Sequence, residues 1–314
     1  MQIFYMEEPM RDIAVVTCYF NPVGYRSKTE NYEAFADALR RTGIRLTTVE
    51  CAFGNKPFAL PNVTDLIRYR SESVLWQRER LVNLAVAQLP QEVQYVAWID
   101  CDLLFTNLHW AKEARNLLQD VSIVQLYERC IRLPKGESSY SGDGKISVSF
   151  ASVTLERPEV LARGSHEKHG ITGGAWMARR EIFQTAGLYE HAIVGGADDY
   201  IAHAIYGDVA SDCVLQKMHY NPSLVTHYQQ WAIRFYGAVQ GKVGVVRGDV
   251  HHLWHGELQN RKYFDRHDVL DELGYDPARD IDVLPNQPLE WSARADQKLR
   301  VWLRSYFLER KEDE

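Results

Sequence analysis

Asp100 and Asp102 stand two residues apart, directly after the apolar stretch 95–99, which reads as a strand. A chain still extended at that point sends both carboxylates to one side, a geometry suited to one divalent cation. In an open α/β sheet ligands lie beyond the carboxyl ends of the strands, and the pair falls there. The plainer role for either residue is a turn or a helix N-cap. Further on come Gly173-Gly174, then Gly195-Gly196, then Asp198-Asp199. A carboxylate within reach of a hydroxyl can remove its proton. His251, His252 and His255 follow, and a neutral imidazole is an ordinary ligand for Mn2+. His255 shares a face with His251 in a strand and with either neighbour in a helix, so it is the first choice among the three. Packing or solvated histidines are the plainer reading of each. A zinc protease would need HExxH, and His252 occupies the position of its base.

The elements that must position these residues follow an alternating order. Residues 13–20 form an unbroken apolar, β-branched run that reads as a strand buried on both faces. Helical spacing over 29–42 ends at Gly43, and a second strand follows over 44–51. This β-α-β order implies an α/β fold with a mainly parallel sheet flanked by helices and a right-handed crossover. A helix is expected over 72–89, others over 111–118, 180–186 and up to Tyr206, and a strand over 121–127. Residues 134–145, polar and glycine-bearing, read as a mobile loop. On the expected helix, Trp76, Arg80 and Asn83 fall at i, i+4 and i+7, which would aim Arg80 and Asn83 at a bound nucleotide; with Glu79 nearby, a salt-bridged solvated face is an equal expectation. Arg78 lies on the same helix, and Asp65 and Arg68 are weaker candidates.

With 314 residues, 46% hydrophobic and 25% charged, the chain has the composition of an ordinary globular protein. Its net charge of −6 argues against a general grip on nucleic acid. There is no run of about 18 apolar residues, and the opening MQIFYMEEPMRD carries two glutamates where a signal peptide is apolar, so a cytoplasmic protein is expected. The five cysteines form no CxxC pair and read as reduced and mostly buried. The turn after the first strand, Asn21-Pro22-Val23-Gly24, lacks GxGxxG, and residues 141–145 fail as a P-loop at both Ser139 and Ile146. A metal held by Asp100 and Asp102 is then the natural means of neutralising a diphosphate.

Residues 98–105, WIDCDLLF, resemble the DxD motif of GT-A glycosyltransferases. Residues 173–183, then Gly187, then Gly195-Gly196-Ala197-Asp198-Asp199, resemble the GG…R..F…G…GGEDDD segment of the galactosyltransferase and N-acetylgalactosaminyltransferase groups, with Ala197 where an acidic residue is usual. The late His251-His252-Leu253-Trp254-His255-Gly256 completes an ordered set spanning roughly residues 12–256. The resemblance implies a GT-A, Rossmann-like fold and a metal-dependent transfer of a hexose or N-acetylhexosamine from a nucleotide diphosphate donor, UDP-sugar expected, to an acceptor hydroxyl. It implies Mn2+ or Mg2+ held by Asp100, Asp102, His255 and His252, and catalysis by Asp198 as base in an inverting reaction, with Asp199 beside it opening the helix. Gly173, Gly174, Gly195 and Gly196 would let the backbone approach the donor sugar, with Arg80, Asn83 and Asp100 on the donor, and Trp176 and Trp254 as acceptor or sugar contacts. The 134–145 loop would close over the donor. Glycans, lipid-linked or other hydroxyl compounds are the expected acceptors, with nucleic acid unlikely save as a modified base. The alternatives are a metal-dependent nucleotide-sugar hydrolase or nucleotidyltransferase and a non-catalytic carbohydrate-binding protein.

Because the motifs span so much of the chain, residues 1–255 are expected to form one catalytic domain and residues 256–314 a helical extension packed on it. In the last helix, 291–310, Trp291, Ala295, Leu299, Trp302, Leu303, Tyr306 and Phe307 form one stripe beside several cations. The stripe could meet a membrane surface, although packing on the chain's own domain is the commoner use.

Overall fold

The structure, a computed structural model, describes residues 10–62, 64–162 and 169–314; the first nine residues, part of the segment read above for a signal peptide, lie outside the described residues. The strands that matter are β1 (Ile13–Phe20), β2 (Arg45–Phe53), β3 (Leu66–Ser71), β4 (Tyr95–Ile99), β5 (Leu103–Phe105), β6 (Ile123–Gln125), β7 (Arg129–Arg132), β8 (Lys145–Val148), β9 (Ala175–Arg179), β10 (Val243–Val245) and β11 (Asp249–His252). Among the described residues the central sheet has seven strands in the order β10-β6-β9-β4-β1-β2-β3. Its neighbours run parallel except at β9, which opposes both β4 and β6. This is the mixed, mainly parallel α/β architecture expected from the sequence.

Parallel neighbours need crossovers, and helices Arg26–Arg40 and Arg78–Gln88 supply two of them. The sheet is covered on both sides. Ala14 and Val16 of β1 enter one apolar cluster, Ile13 and Val15 the other, as the two-residue period of a strand requires. Residues beyond 255 belong to the first cluster: Leu270, Tyr275, Leu289, Leu299, Leu303, Tyr306 and Phe307 pack there with Val49 and Trp98. The C-terminal segment is thus built into the core that the sheet also uses. Burial of each such Leu or Phe contributes about 1.5–3 kcal/mol. The stripe considered for a membrane surface is spent here, since Leu299, Leu303, Tyr306 and Phe307 of helix Gln297–Glu309 are all buried. No described helix is long and apolar enough to cross a membrane.

Two departures from the expected elements have physical causes. The helix expected over 72–89 begins at Arg78. Residues 72–77 are irregular and tied to the C-terminal segment: Gln77 exchanges hydrogen bonds with the Leu289 backbone at 2.9 and 3.0 Å, and Trp291 N donates to Ser73 Oγ at 2.8 Å. Helix Pro222–Val239, absent from the sequence reading, carries the start signals of an Asn221 N-cap and Pro222 in its first turn. A second sheet, β5-β11-β7-β8, extends from the end of β4. Residues 134–144 are irregular, and Lys145 already belongs to β8.

Candidate active site

The site forms where the two sheets meet. Asp100 follows β4, and residues 101–102 turn before β5 begins at Leu103. The aspartates are therefore not presented on one side of an extended chain, because a turn intervenes. Each faces its own partners.

Asp102 is placed by strand register. β5 pairs antiparallel with β11, setting Leu103 opposite His252, and Leu253 N donates to Asp102 O at 2.8 Å. His252 and His255 are thereby brought to the same carboxylate, with Nε2 atoms 4.0 and 3.0 Å from Asp102 Oδ2. Donor atoms of Asp102, His252 and His255 lie within 4.8 Å of one another. Asp102 Oδ1 is buried with no hydrogen-bond partner in the structure. Burial by itself would raise the Asp102 carboxyl, but the two imidazoles hold it well below the usual range. Burial also pushes the His252 imidazole down to about 3, so its ring is neutral and able to donate a lone pair. His251 pairs with Leu104 and Ile131 in the sheet and does not join this group.

Behind the histidines stands a residue the sequence did not point to. Glu312, fully buried, has Oε1 3.8 Å from His255 Nδ1 and 2.5 Å from Arg310 Nε. Two residues from the chain's last position, it carries no local signal of such a role.

Asp100 is reached by Arg78. Arg78 Nε donates to Asp100 Oδ1 at 2.7 Å, and Arg78 Nη1 donates to Asp198 Oδ1 and to Glu79 Oε1, both at 2.9 Å. Burial works against the Arg78 charge, and Asp100, Asp198 and Glu79 outweigh it, so the guanidinium stays charged. Burial pushes the Asp100 carboxyl up against the pull of Arg78, with Asp198 and Asp102 adding to the rise. The pairing of β9 with β4 brings in the glycine segment, as Asp100 N donates to Gly174 O at 2.8 Å. Gly196, at φ 93°, opens helix Ala197–Ile205 and sets Asp198 in its first turn.

Several expected site residues are placed elsewhere. With its helix starting at Arg78, Arg80 binds Glu190 and the Leu284 and Gln287 carbonyls, and Asn83 binds Glu190 and the Leu188 backbone. The face that reaches the aspartates is that of Arg78; the rule that grouped Trp76 with Arg80 fails because Trp76 is not helical. Asp199 accepts from Thr172 Oγ1 at 2.6 Å and pairs with Lys217, so its carboxylate fastens the helix start rather than facing a substrate. Trp176 is buried, with Nε1 on Thr172 O at 2.7 Å, and stands next to Trp98 across the strands; it has no free surface for a sugar. The glycines admit protein neighbours: a Cβ on Gly195 would meet Trp76 at 3.2 Å, on Gly196 Arg266 and His267 at 3.2 Å, and on Gly174 Leu103 at 3.1 Å. At Gly173 it would sit 2.8 Å from Asp198 Oδ2. Trp254 is partly exposed beside His255, with Lys135 Nζ 4.4 Å from its ring centroid, in a groove of about 300 Å3 lined also by Asn31, Leu253 and Asp313.

No protein-family model matches the sequence, and no curated protein matches it. Solved structures similar to the chain include the catalytic domain of Drosophila beta1,4-galactosyltransferase 7 in complex with xylobiose, at 14% identity and TM-score 0.40 over 93% of this chain and 98% of that one. A mutant of the same enzyme in complex with manganese, UDP-Gal and xylobiose aligns at 12% identity and TM-score 0.38 over the same shares. Mannosyl-3-phosphoglycerate synthase from Rubrobacter xylanophilus aligns at 10% identity and TM-score 0.39, over 91% of this chain and 85% of that one.

Proposed function

We propose that the protein is a metal-dependent glycosyltransferase of the GT-A type, moving a hexosyl or N-acetylhexosaminyl group from a nucleotide diphosphate sugar, UDP-sugar first, to an acceptor hydroxyl with inversion. One observation carries the reading: the Asp102, His252 and His255 cluster lies at the carboxyl end of β4, beside a chain of contacts from Asp100 through Arg78 to Asp198. The sequence resemblance of the same residues to the DxD and GGxDD motifs adds to it.

The donor set fits a divalent cation. Asp102 Oδ1 is an orphaned buried acceptor, and two imidazoles with a carboxylate suit Mn2+ better than Mg2+, which prefers oxygen ligands throughout. When bound there, the ion would supply Lewis-acid stabilisation of the departing nucleoside diphosphate. The remaining work falls to side chains. Asp198 Oδ1 is held by Arg78, leaving Oδ2 to accept the acceptor's hydroxyl proton as its oxygen bonds the anomeric carbon; the bond from that carbon to the diphosphate breaks and the electron pair leaves with the nucleotide. Arg78 holds both aspartates in one orientation, which spares the reaction that ordering. Trp254, with Lys135 over its ring, offers an aromatic face of the kind sugars stack on, at the acceptor end of the site.

Incubation with UDP-, GDP- and CMP-sugars, with and without Mn2+, should release nucleotide from one donor class in a metal-dependent way. No release from any donor, together with no thermal shift from Mn2+ and UDP, overturns the reading. Proton NMR of the first product should show the inverted anomer; a retained anomer removes the base role from Asp198.

A further inference from the structure

A second group of soft donors adjoins the segment that leads to Gly173. His169, His203 and Cys213 are 1%, 0% and 2% exposed, and their donor atoms lie within 4.8 Å of one another. We infer that these three residues form a second metal centre, a buried thiolate–imidazole site for a zinc-like divalent ion that fastens the entry to the glycine segment onto helices Ala197–Ile205 and Asp212–Lys217.

The geometry fits that chemistry. His169 Nε2 and Cys213 Sγ are 3.3 Å apart. Around a tetrahedral zinc, with Zn–N about 2.0–2.1 Å and Zn–S about 2.3 Å, such atoms stand about 3.5 Å apart. His203 is prepared from behind: its Nδ1 lies 2.9 Å from Asp208 Oδ2, the carboxylate contact that fixes the tautomer of a metal-binding histidine and leaves Nε2 with its lone pair. That Nε2 is buried and has no hydrogen-bond partner in the structure. The Phe150 ring packs beside both imidazoles, with its centroid 5.2 Å from His169 and 5.8 Å from His203.

Ligation by this set needs the Cys213 thiolate and the lone pairs of two neutral imidazoles. Binding is then balanced as two imidazole lone pairs and one thiolate donated to the ion, with the thiol proton released to solvent and a water filling the fourth position. The donors also set this site apart from the first. Sulfur with two imidazoles selects zinc or cobalt, whereas Asp102 with two imidazoles accepts harder ions. A metal here would act on structure. His169 stands three residues before Thr172, which binds Asp199, and His203 lies on the helix that carries Asp198 in its first turn.

The test is metal content and cobalt spectroscopy of the full chain carrying Asp102→Asn and His255→Ala, which disable the first cluster. About one zinc per chain should remain, and replacement by Co2+ should give a thiolate-to-cobalt charge-transfer band in the near ultraviolet, which an Asp and two His cannot produce. Both should vanish in Cys213→Ser. If that variant does not fold, the spectrum of the chain with Cys213 intact decides alone. No stoichiometric zinc or cobalt in the folded chain, or bound cobalt without the thiolate band, overturns the inference. Neither outcome bears on glycosyl transfer, which is read from nucleotide release.

Discussion

Replacing Gly173 by alanine separates the chemistry of the site from the stability of the fold. An added Cβ would lie 2.8 Å from Asp198 Oδ2, 3.0 Å from its Cγ and 3.5 Å from its Cβ. Ordinary contact begins near 3.4 Å, so the carboxylate must retreat by about 0.6 Å while the Asp198 backbone can stay in place. A shift of that size stretches the 2.9 Å bond from Arg78 Nη1 toward ~3.5 Å, where it is no longer a good hydrogen bond. Gly173 is not in the left-handed region, so alanine fits its backbone and stability should change by no more than about 1 kcal/mol. A base displaced by up to about 1 Å costs roughly 10- to 100-fold in turnover. The assay is Mn2+-dependent nucleotide release against donor concentration, with calorimetric melting of the same samples. We expect kcat to fall by that factor while the melting temperature and the Mn2+-induced shift hold. Full turnover by a folded Gly173→Ala variant would show that the Asp198 carboxylate takes no part in the reaction.

Other outcomes follow from the same contacts. Asp102→Asn should abolish the thermal shift produced by Mn2+ with UDP while leaving the chain folded by circular dichroism; a wild-type shift would place the ion elsewhere. Trp176→Ala should destabilise by about 3–5 kcal/mol in urea unfolding, as expected of a buried core residue, whereas Trp254→Ala should raise acceptor KM with little loss of stability. Glu312→Ala should cost about 3–5 kcal/mol, because it leaves the buried Arg310 guanidinium without its carboxylate; a loss under about 0.5 kcal/mol contradicts the packing of the C-terminus. Burial, with His227 and Arg80, pushes the His191 imidazole down to about 3 in the fold. The unfolded chain therefore takes up a proton that the folded chain refuses, so stability is complete above about pH 6.5 and declines below it. His191→Gln should show a shallower fall in urea midpoint between pH 7 and pH 5, and equal slopes would refute this.

Much of the framework is legible in the chain itself, because it rests on patterns only a few residues long. The continuous apolar run of β1 and the YVAWI of β4 mark strands covered on both faces, and their bounds agree with the structure. Asp102 and His255 are legible as candidates because carboxylate and imidazole are groups able to hold a divalent ion, whereas His252 is told from His251 only by the register of β11 against β5. Arg78 is harder to choose over Arg80. Where the helix begins decides which arginine faces the sheet's end, and that start is set by Gln77 bonding a backbone more than 200 residues later. The resemblance makes Trp176 a sugar contact, and only its position on β9 between β4 and β6 makes it core.

By itself, then, the sequence determines the strand and helix types, the order of the motifs and the donor chemistry of the first cluster, since these depend on side-chain type and local period. The tertiary structure decides what each charged group faces. The β5–β11 register sets His252 by Asp102, Arg78 spans two carboxylates, and residues 312–313 close on the start of helix Arg26–Arg40, with Asp313 accepting from Arg26 N and Ser27 N and Glu312 standing behind His255. Such pairings join residues up to 287 positions apart, and the free energy that selects them comes from burying the surfaces between, which no short window of sequence contains.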